Sequence, residues 1–442
     1  MRIAKYKRTI AAAVLSVILI GATSTYYLVF PPLKVPQALF RYTETITVEN
    51  RGTGSIKFGG ISTEGFLNLA WQRARLIEVS GKYTISKDGD GNPIIVVEGP
   101  ETLSRGESYT VTIVWEIESF NRPKPIISLE NAGGLESIPD SLRNYTREVA
   151  PWWSPPDIRL DTDAWNKTRY YNMSLSEVAS TLAGNETRVL KIVLEDVKWI
   201  ATHITYHSAS PTYPVETARN RTGDCDDQSN LLIALLRMQG IPSFLMMGMI
   251  YLHQEAYANR SGVVMGGHQY NEYHHVIGHG WAMVYIPPWG WLPCDLTSSY
   301  SIELRNDPKK AITEAVLWNP ATLVFRNATG IGGAEASDYI GSLRETEAEA
   351  KEKNIYYKLI LDLEHLAVPE HEVILRSPAF VIYSEIICAI ALIILVGAHE
   401  RGRKTPPVYL GAKKCTYCGS ENPADAIYCG WCGRRLLQRP AE

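Results

Sequence analysis

Three residues of this chain have the types and the order that nucleophilic acyl transfer needs: Cys225, His279 and Asp295. Cys225 stands in Gly223-Asp-Cys225-Asp-Asp227, just before an apolar run over 231–238 that stops at Gly240-Ile-Pro242. That places a thiol in the first turn of a predicted helix, where unpaired N–H groups and the helix dipole favour an anion. A thiol near its ordinary pKa is mostly protonated at neutral pH, so it also needs a base to take its proton. His279 is the candidate base, and Asp295 the acid that would orient it and fix its tautomer. Asp224, Asp226 and Asp227 oppose the thiolate, since like charge raises a thiol pKa. They are expected to cap the helix or point away.

His279 and Asp295 fall on two alternating segments joined by a Pro-Pro-Trp-Gly turn. In a strand His279, Trp281 and Met283 share one face, and Trp291, Pro293 and Asp295 share one face of the next. The imidazole and carboxylate meet if odd positions pair with odd positions, so the connection must hold an odd number of residues, such as 286–290. A bulge at Pro293 is the other route. The same alternation turns Cys294 away from Asp295, and no Cys225–Cys294 disulfide is expected. His268, His274 and His275 stand near His279 but lack a carboxylate or cysteine at ligand spacing, so no metal is expected at this site.

These residues together resemble the transglutaminase-like superfamily: Gly223-x-Cys225-x-Asp227, the apolar helix ending in Leu-Leu-Arg237, Gly240-Ile-Pro242, His279-x-Trp281, Gly290-Trp291 and Asp295-x-Thr297. Tyr206 fits the aromatic often found upstream of the cysteine helix. The resemblance runs from about Leu194 to Tyr300. It implies a papain-like α+β core with Cys225 as nucleophile, His279 as base and Asp295 as orienting acid, supported by Asp227, Tyr206 and Trp281. Ser243-Phe244 departs from the Ala-Arg that family members often carry there.

A second cluster lies in the tail, Cys415-x-x-Cys418 and Cys429-x-x-Cys432. Four thiolates at this spacing fit a closed tetrahedral zinc site, structural because no coordination position stays open. Gly419-Ser-Glu-Asn-Pro423 and Ile427-Tyr-Cys429 resemble the zinc-ribbon family, and a cytoplasmic protein partner is the expected use of such a ribbon.

The chain's 442 residues allow two or three domains. A formal net charge of −3 argues against general nucleic-acid binding, and seven unevenly spread cysteines are too few for a disulfide framework. Segment 9–30 has no charged residue and follows Arg2, Lys5, Lys7 and Arg8. It reads as a transmembrane helix, or alternatively as a cleaved signal peptide with small residues near Gly21. Segment 379–398 holds one acid, Glu385, and is followed by Arg401, Arg403 and Lys404. Both charge asymmetries imply a two-pass protein in the bilayer, with cytoplasmic termini and an extracytoplasmic centre. Sequons at Asn144, Asn166, Asn172, Asn185, Asn220 and Asn327 all fall between the two segments.

Between them, 31–122 alternates and reads as a β-sandwich, with Val111, Ile113, Trp115 and Ile117 on one face of a strand. Asp88-Gly-Asp90-Gly-Asn92 starts like a calcium loop, but Pro93 and Gly99 occupy its glycine and acid positions, so a hairpin turn is expected. A Pro- and Trp-rich linker is expected over 123–173 and the transglutaminase-like core over 174–300. The expected helices cover 174–183 and 186–204, with a strand over 243–251 and a polar loop over 252–276. Segment 301–378 is read as an extension holding a long helix over 334–366; a basic linker over 399–412 leads to the ribbon at 413–437. The expected whole is an α+β fold with an N-terminal β-sandwich, papain-like core, two transmembrane helices and C-terminal zinc ribbon. The expected function is a thiol enzyme acting on peptide or protein amide bonds through an acyl-enzyme. The alternative is an inactive fold of the same kind, used as a binding or scaffold module.

Overall fold

A computed structural model describes residues 36–149, 153, 159–208, 210–254, 258–333, 337–368, 386, 390 and 413–436. The chain divides into two compact units, Lys34–Val373 and a second made of Met1–Leu33 with Ile374–Glu442.

The larger unit begins with strands β1 (Ala38–Asn50), β2 (Ile56–Lys57), β3 (Gly60–Glu64), β4 (Gln72–Val79), β5 (Tyr83–Lys87), β6 (Pro93–Glu98), β7 (Thr102–Leu103) and β8 (Ser108–Ser119). The alternation read from β8 is realised: Val111, Ile113 and Ile117 are fully buried and Trp115 nearly so. Helices α1 (Leu175–Ala183), α2 (Val189–His203), α3 (Pro214–Asn220) and α4 (Cys225–Met238) follow. Two short parallel strands, β9 (Thr205–Tyr206) and β10 (Thr222–Gly223), lie among them. Next come β11 (Ser243–Tyr251), β12 (Asn259–Val264), β13 (Gln269–His274), β14 (Val276–Ile286) and β15 (Gly290–Cys294). The unit ends with short helices α5 (Ser301–Asn306) and α6 (Lys310–Thr313), strand β16 (Thr322–Ala328), helix α7 (Tyr339–Lys353) and strand β17 (Ile355–Leu366).

Two sheets matter for the site. A four-stranded sheet, β15-β14-β11-β16, backs the helix that carries Cys225. A six-stranded sheet runs β12-β13-β17-β1-β8-β4, so it draws strands from before, within and after the helical part. The three-stranded sheet β3-β6-β5 shares its core, with Ile61, Ile95 and Val97 buried among Phe40, Tyr42 and Val111. Two differences from the sequence reading follow. The helix expected over 334–366 ends at Lys353, where Asn354 takes the left-handed conformation (φ 52°), and the chain continues as β17. The segment read as a polar loop over 252–276 contains the hairpin β12–β13. Among the described residues of segment 123–173, Trp153, Leu160 and Trp165 are fully buried in the helical core.

The Asp88–Asn92 stretch is a turn between β5 and β6. Asp88 accepts the N–H groups of Asp90 (3.0 Å) and Asn92 (2.8 Å). Asp90 accepts from the N–H groups of Thr329 (3.0 Å) and Gly332 (3.2 Å), so it clasps the distant turn that follows β16. Five of the six sequon asparagines are exposed, and Asn327 is half-buried.

The expected fold class is corrected here. The fold is mixed α/β, and among the described residues no helix is long and apolar enough to cross a membrane. Segment 9–30 lies outside the described residues, as does 379–398 apart from Ile386 and Ile390. A span needs about 20 continuous apolar residues in one helix, and apolar composition with flanking charge suggests such a helix without building it. The two-pass localisation, with an extracytoplasmic centre and cytoplasmic termini, rested on those two helices and is withdrawn with them.

In the smaller unit, short strands β18 (Lys413–Lys414) and β19 (Glu421–Asn422) pair beside the four tail cysteines.

Candidate active site

Cys225 is the first residue of α4, as the sequence predicts, with Asp224 at the N-cap. Asp227 explains its own place in the motif. One of its oxygens accepts the Asp224 N–H (3.2 Å) and the other the Thr212 N–H (2.7 Å), so it ties the helix start to the preceding loop. Gly223 is required by the same packing, because a Cβ there would stand 2.7 Å from the Asp227 Cβ. At the other end of the helix, Arg237 donates to the carbonyls of Ser243 (3.0 and 2.6 Å), Thr329 (2.8 Å) and Arg147 (2.8 Å), and lies 4.0 Å over the Trp153 ring.

His279 lies on β14 and Asp295 directly after β15. The pairing is odd with odd, with Met283 opposite Pro293 and Tyr285 opposite Trp291, and it runs without a shift. Ile286 pairs with Gly290, which leaves three residues in the connection. His279, Trp281 and Asp295 therefore share a face, and His279 Nε2 lies 3.0 Å from Asp295 Oδ2. The imidazole also acts on the Cys225 thiol, drawing its pKa down. With Nε2 on Asp295, Nδ1 is the ring nitrogen left to serve the sulfur. Close approach of helix to strand depends on Gly280, whose added Cβ would meet the Asp226 Cβ at 3.0 Å. Trp281 is fully buried and stacks beside His279 at 6.0 Å. Tyr206 is half-exposed; it pairs with Gly223, two residues before the thiol.

The electrostatics follow from burial and neighbours. Burial works against a charged Asp295, but the His279 imidazolium and the N–H groups of Thr297 (3.1 Å), Ser298 (3.1 Å) and Val316 (3.3 Å) hold its pKa below the ordinary carboxylate value. Burial also disfavours the imidazolium, yet Asp295 and the Cys225 sulfur outweigh it and push His279 up to about 10. Burial pushes the Cys225 thiol up; His279 pulls it down, and Asp226 and Asp224 push it further up. Asp226 Oδ1 lies 3.8 Å from the sulfur. Burial, with Asp226 beside it, raises Asp224 to about 9.

One contributor escaped the sequence reading. Tyr339, at the start of α7, donates its hydroxyl to Asp226 Oδ2 and receives the Asn230 Nδ2 donor at 3.2 Å. It stands 113 residues from Asp226 and carries no motif, so only the fold reveals it. The ligating atoms of Asp224, Cys225 and Asp226 lie within 4.8 Å of one another, a group that could also hold a cation. The histidines near His279 are engaged elsewhere: His268 with the Ile355 carbonyl, His274 with Asn259 and Glu272, and His275 with the Leu252 carbonyl. Cys225 and Cys294 are both free thiols, and Cys294 is fully buried.

Residues 176–296 match the family described as the Transglutaminase-like superfamily. The chain carries a transglutaminase-like domain. The protein YebA of Bacillus subtilis (strain 168), itself uncharacterized, is 24% identical over 211 residues, which cover 41% of this chain and 28% of YebA. The chain thus spans well under half of that relative. Among solved structures, a candidate cysteine protease from Cytophaga hutchinsonii is 13% identical with a TM-score of 0.42, covering 75% of this chain and 92% of that one. The periplasmic domain of TgpA from Pseudomonas aeruginosa is also 13% identical, with a TM-score of 0.30, covering 64% of this chain and 91% of that one.

In the smaller unit the Sγ atoms of Cys415, Cys418, Cys429 and Cys432 lie within 4.8 Å of one another. Cys415 and Cys432 are 3.7 Å apart and Cys418 and Cys429 3.6 Å. Four sulfurs about 2.3 Å from a tetrahedral ion would stand about 3.8 Å apart, so these residues fit one metal ion.

Proposed function

We propose that the transglutaminase-like domain is a cysteine-type acyl hydrolase or acyltransferase acting on amide bonds of peptides or proteins. The observation that carries this reading is the His279–Asp295 pair at 3.0 Å, with its imidazole acting on the Cys225 thiol at the start of α4. Cys225 first gives its proton to His279 Nδ1, leaving a thiolate beside the imidazolium that Asp295 stabilises, and the sulfur then attacks the amide carbonyl carbon. The C–N bond then breaks and the amine leaves with the proton from His279, giving a thioester on Cys225. Water or a second amine attacks that thioester, returning its proton through His279, and the thiol is restored. Asp295 remains ionised throughout and holds the ring with Nδ1 toward the sulfur. The Cys225 N–H, in the first helical turn, is one donor for the oxyanion.

Labelling by iodoacetamide or a peptide thioester tests this reading. Peptide mapping should find rapid labelling at Cys225 in native protein, and the Cys225→Ala variant, which keeps the other six cysteines, should take up one label fewer; equal total labelling of both would end the proposal. The acidic surroundings of the thiol support the rival reading of an inactive binding module, which a native protein inert to both reagents would favour.

We further propose that the four tail cysteines hold a structural zinc ion, which would crosslink the two knuckles. The donor set of four thiols and their near-tetrahedral spacing support zinc. Native mass spectrometry should find one zinc per chain; a metal-free ribbon that stays folded would argue against it.

A further inference from the structure

We propose that β12 is a docking edge on which an extended peptide substrate adds as a further strand, delivering its scissile amide to Cys225. This rests on the reading of Cys225 as nucleophile and names the form its substrate takes. The six-stranded sheet ends at β4 on one side and β12 on the other. The β4 edge is blunted: its register shifts between Leu76 and Glu78, and Arg73 and Arg75 lie along it, paired with Glu118 and Glu116. Such bulges and charges discourage pairing with another chain. The β12 edge has neither lysine, proline nor register shift, and all six of its residues are exposed, with Val263 61% and Val264 44% accessible.

The register shows which backbone groups are free. His275 N–H donates to the Ala258 carbonyl (2.6 Å), so even-numbered residues of β12 turn both backbone groups toward β13. Asn259, Ser261 and Val263 turn theirs outward, where among the described residues no strand pairs with them.

The edge also leads to the thiol. β13 ends at His274 and β14 reaches His279 five residues later. Tyr273 lies six residues before His279, at most about 20 Å along an extended chain, and Arg260 stands opposite it, about 5 Å further across the ladder. Tyr206, which pairs with Gly223 two residues before the thiol, is within electrostatic reach of Arg260 as well as of Cys225, Asp224 and Asp226. An antiparallel peptide on β12 runs from the Val264 end toward Asn259. It therefore arrives at the site with the residues before its scissile bond on the strand.

The side chains define the peptide's chemistry. Arg260 is exposed and has no carboxylate partner among the described residues, so it selects an acidic side chain beside it. Gly262 leaves open space, since a Cβ there would meet nothing within 4 Å, and this admits a bulky neighbour. Val264 favours an apolar one. The substrate class is an unfolded segment reading apolar-x-bulky-x-acidic ahead of the cleaved or transferred amide.

The test measures binding apart from turnover. Fluorescein-labelled Val-Thr-Phe-Thr-Glu-Thr-Ala-Gln-Ala-Gly is titrated into the Cys225→Ala protein and followed by anisotropy. Adding Ser261→Pro removes only an outward N–H, which an edge strand tolerates, and should weaken binding at least tenfold. Arg260→Glu should weaken it similarly, and a peptide with Lys in place of Glu should restore it. No binding, or unchanged binding in both variants at unchanged melting temperature, overturns the proposal. So does a sedimentation shift showing that Ser261→Pro splits a dimer while leaving peptide affinity intact. Iodoacetamide labelling of otherwise native Cys225 keeps the outcomes apart: a reactive thiol with an indifferent edge retains the catalytic reading and removes this one.

Discussion

Replacing Asp295 by Asn keeps the side chain's shape and removes one buried charge. One carboxylate oxygen accepts the Thr297 and Ser298 N–H groups (3.1 Å each), and the other serves His279 (3.0 Å) and the Val316 N–H (3.3 Å). An amide must turn its NH2 toward one of these sets. If it faces His279, Nε2 becomes an acceptor and the ring's proton moves to Nδ1, the tautomer unable to take a proton from the thiol. The size of the effect can be worked in two ways. His279 is raised from its ordinary 6.5 to about 10, which at 1.36 kcal/mol per pKa unit is about 5 kcal/mol. Two charges 3.0 Å apart at an effective dielectric of 20 interact by about 5.5 kcal/mol. Without Asp295 the remaining burial should bring His279 to or below its ordinary value, and turnover should fall at least about a hundredfold. The stability sign follows from linkage. A raised imidazole pKa stabilises fully below 6.5 and loses that contribution as pH rises through about 10, so native protein should weaken across that window and Asp295→Asn should not. The assays are the NMR titration of the His279 ring, iodoacetamide rates against pH, and thermal melts. A folded variant whose His279 still titrates near 10 would refute the reasoning.

The Asp226 carboxylate, 3.8 Å from the sulfur, raises the thiol pKa, so Asp226→Asn should lower the midpoint of iodoacetamide labelling; an unmoved midpoint would show that the charge is not felt. Burial raises Glu44 from 4.5 to about 7, against a hydrogen bond from Thr63 at 3.1 Å. Its folded form holds the proton longer than the unfolded chain, so it lowers stability progressively from pH 4.5 to 7 and fully above that. Glu44→Gln should therefore add up to about 3 kcal/mol at pH 8 and nothing at pH 4 in urea unfolding. Cys415→Ser should cut bound zinc to under about a tenth of an equivalent after dialysis; retention of a full equivalent in that variant would contradict a four-thiolate site.

Much of the site was legible because its chemistry is local. Gly223-x-Cys225-x-Asp227 specifies a cap, a close approach and a thiol within one turn, and the stop at Gly240 follows ordinary helix rules. The alternation on either side of the Pro-Pro-Trp-Gly turn sets the condition for Asp295 to meet His279, an odd connection, and the β14–β15 hairpin meets it. What stayed hidden depends on distant partners. The charged run of α7 extends a helical reading into Ile355-Tyr-Tyr-Lys-Leu-Ile-Leu, and only the left-handed Asn354 marks the break. β12 and β13 show no apolar alternation, and their strand character comes from pairing, β12 with β13 and β13 with β17. Tyr339 reaches Asp226 across 113 residues. The membrane reading failed for a related reason, since hydropathy reports composition and the described residues include no helix that could serve.

β1 and β17 lie antiparallel from Leu39 opposite Leu366 to Asn50 opposite Ile355. The larger unit's first and last strands therefore meet at their outer ends, and the segments flanking it depart from neighbouring rungs. Tension applied through those segments would load the ladder one rung at a time, as a zip opens, and not all rungs together as in shear. β17 would peel away under modest force, and the sheet would lose the strand joining β1 to the β13–β12 edge before the Cys225 helix felt any strain.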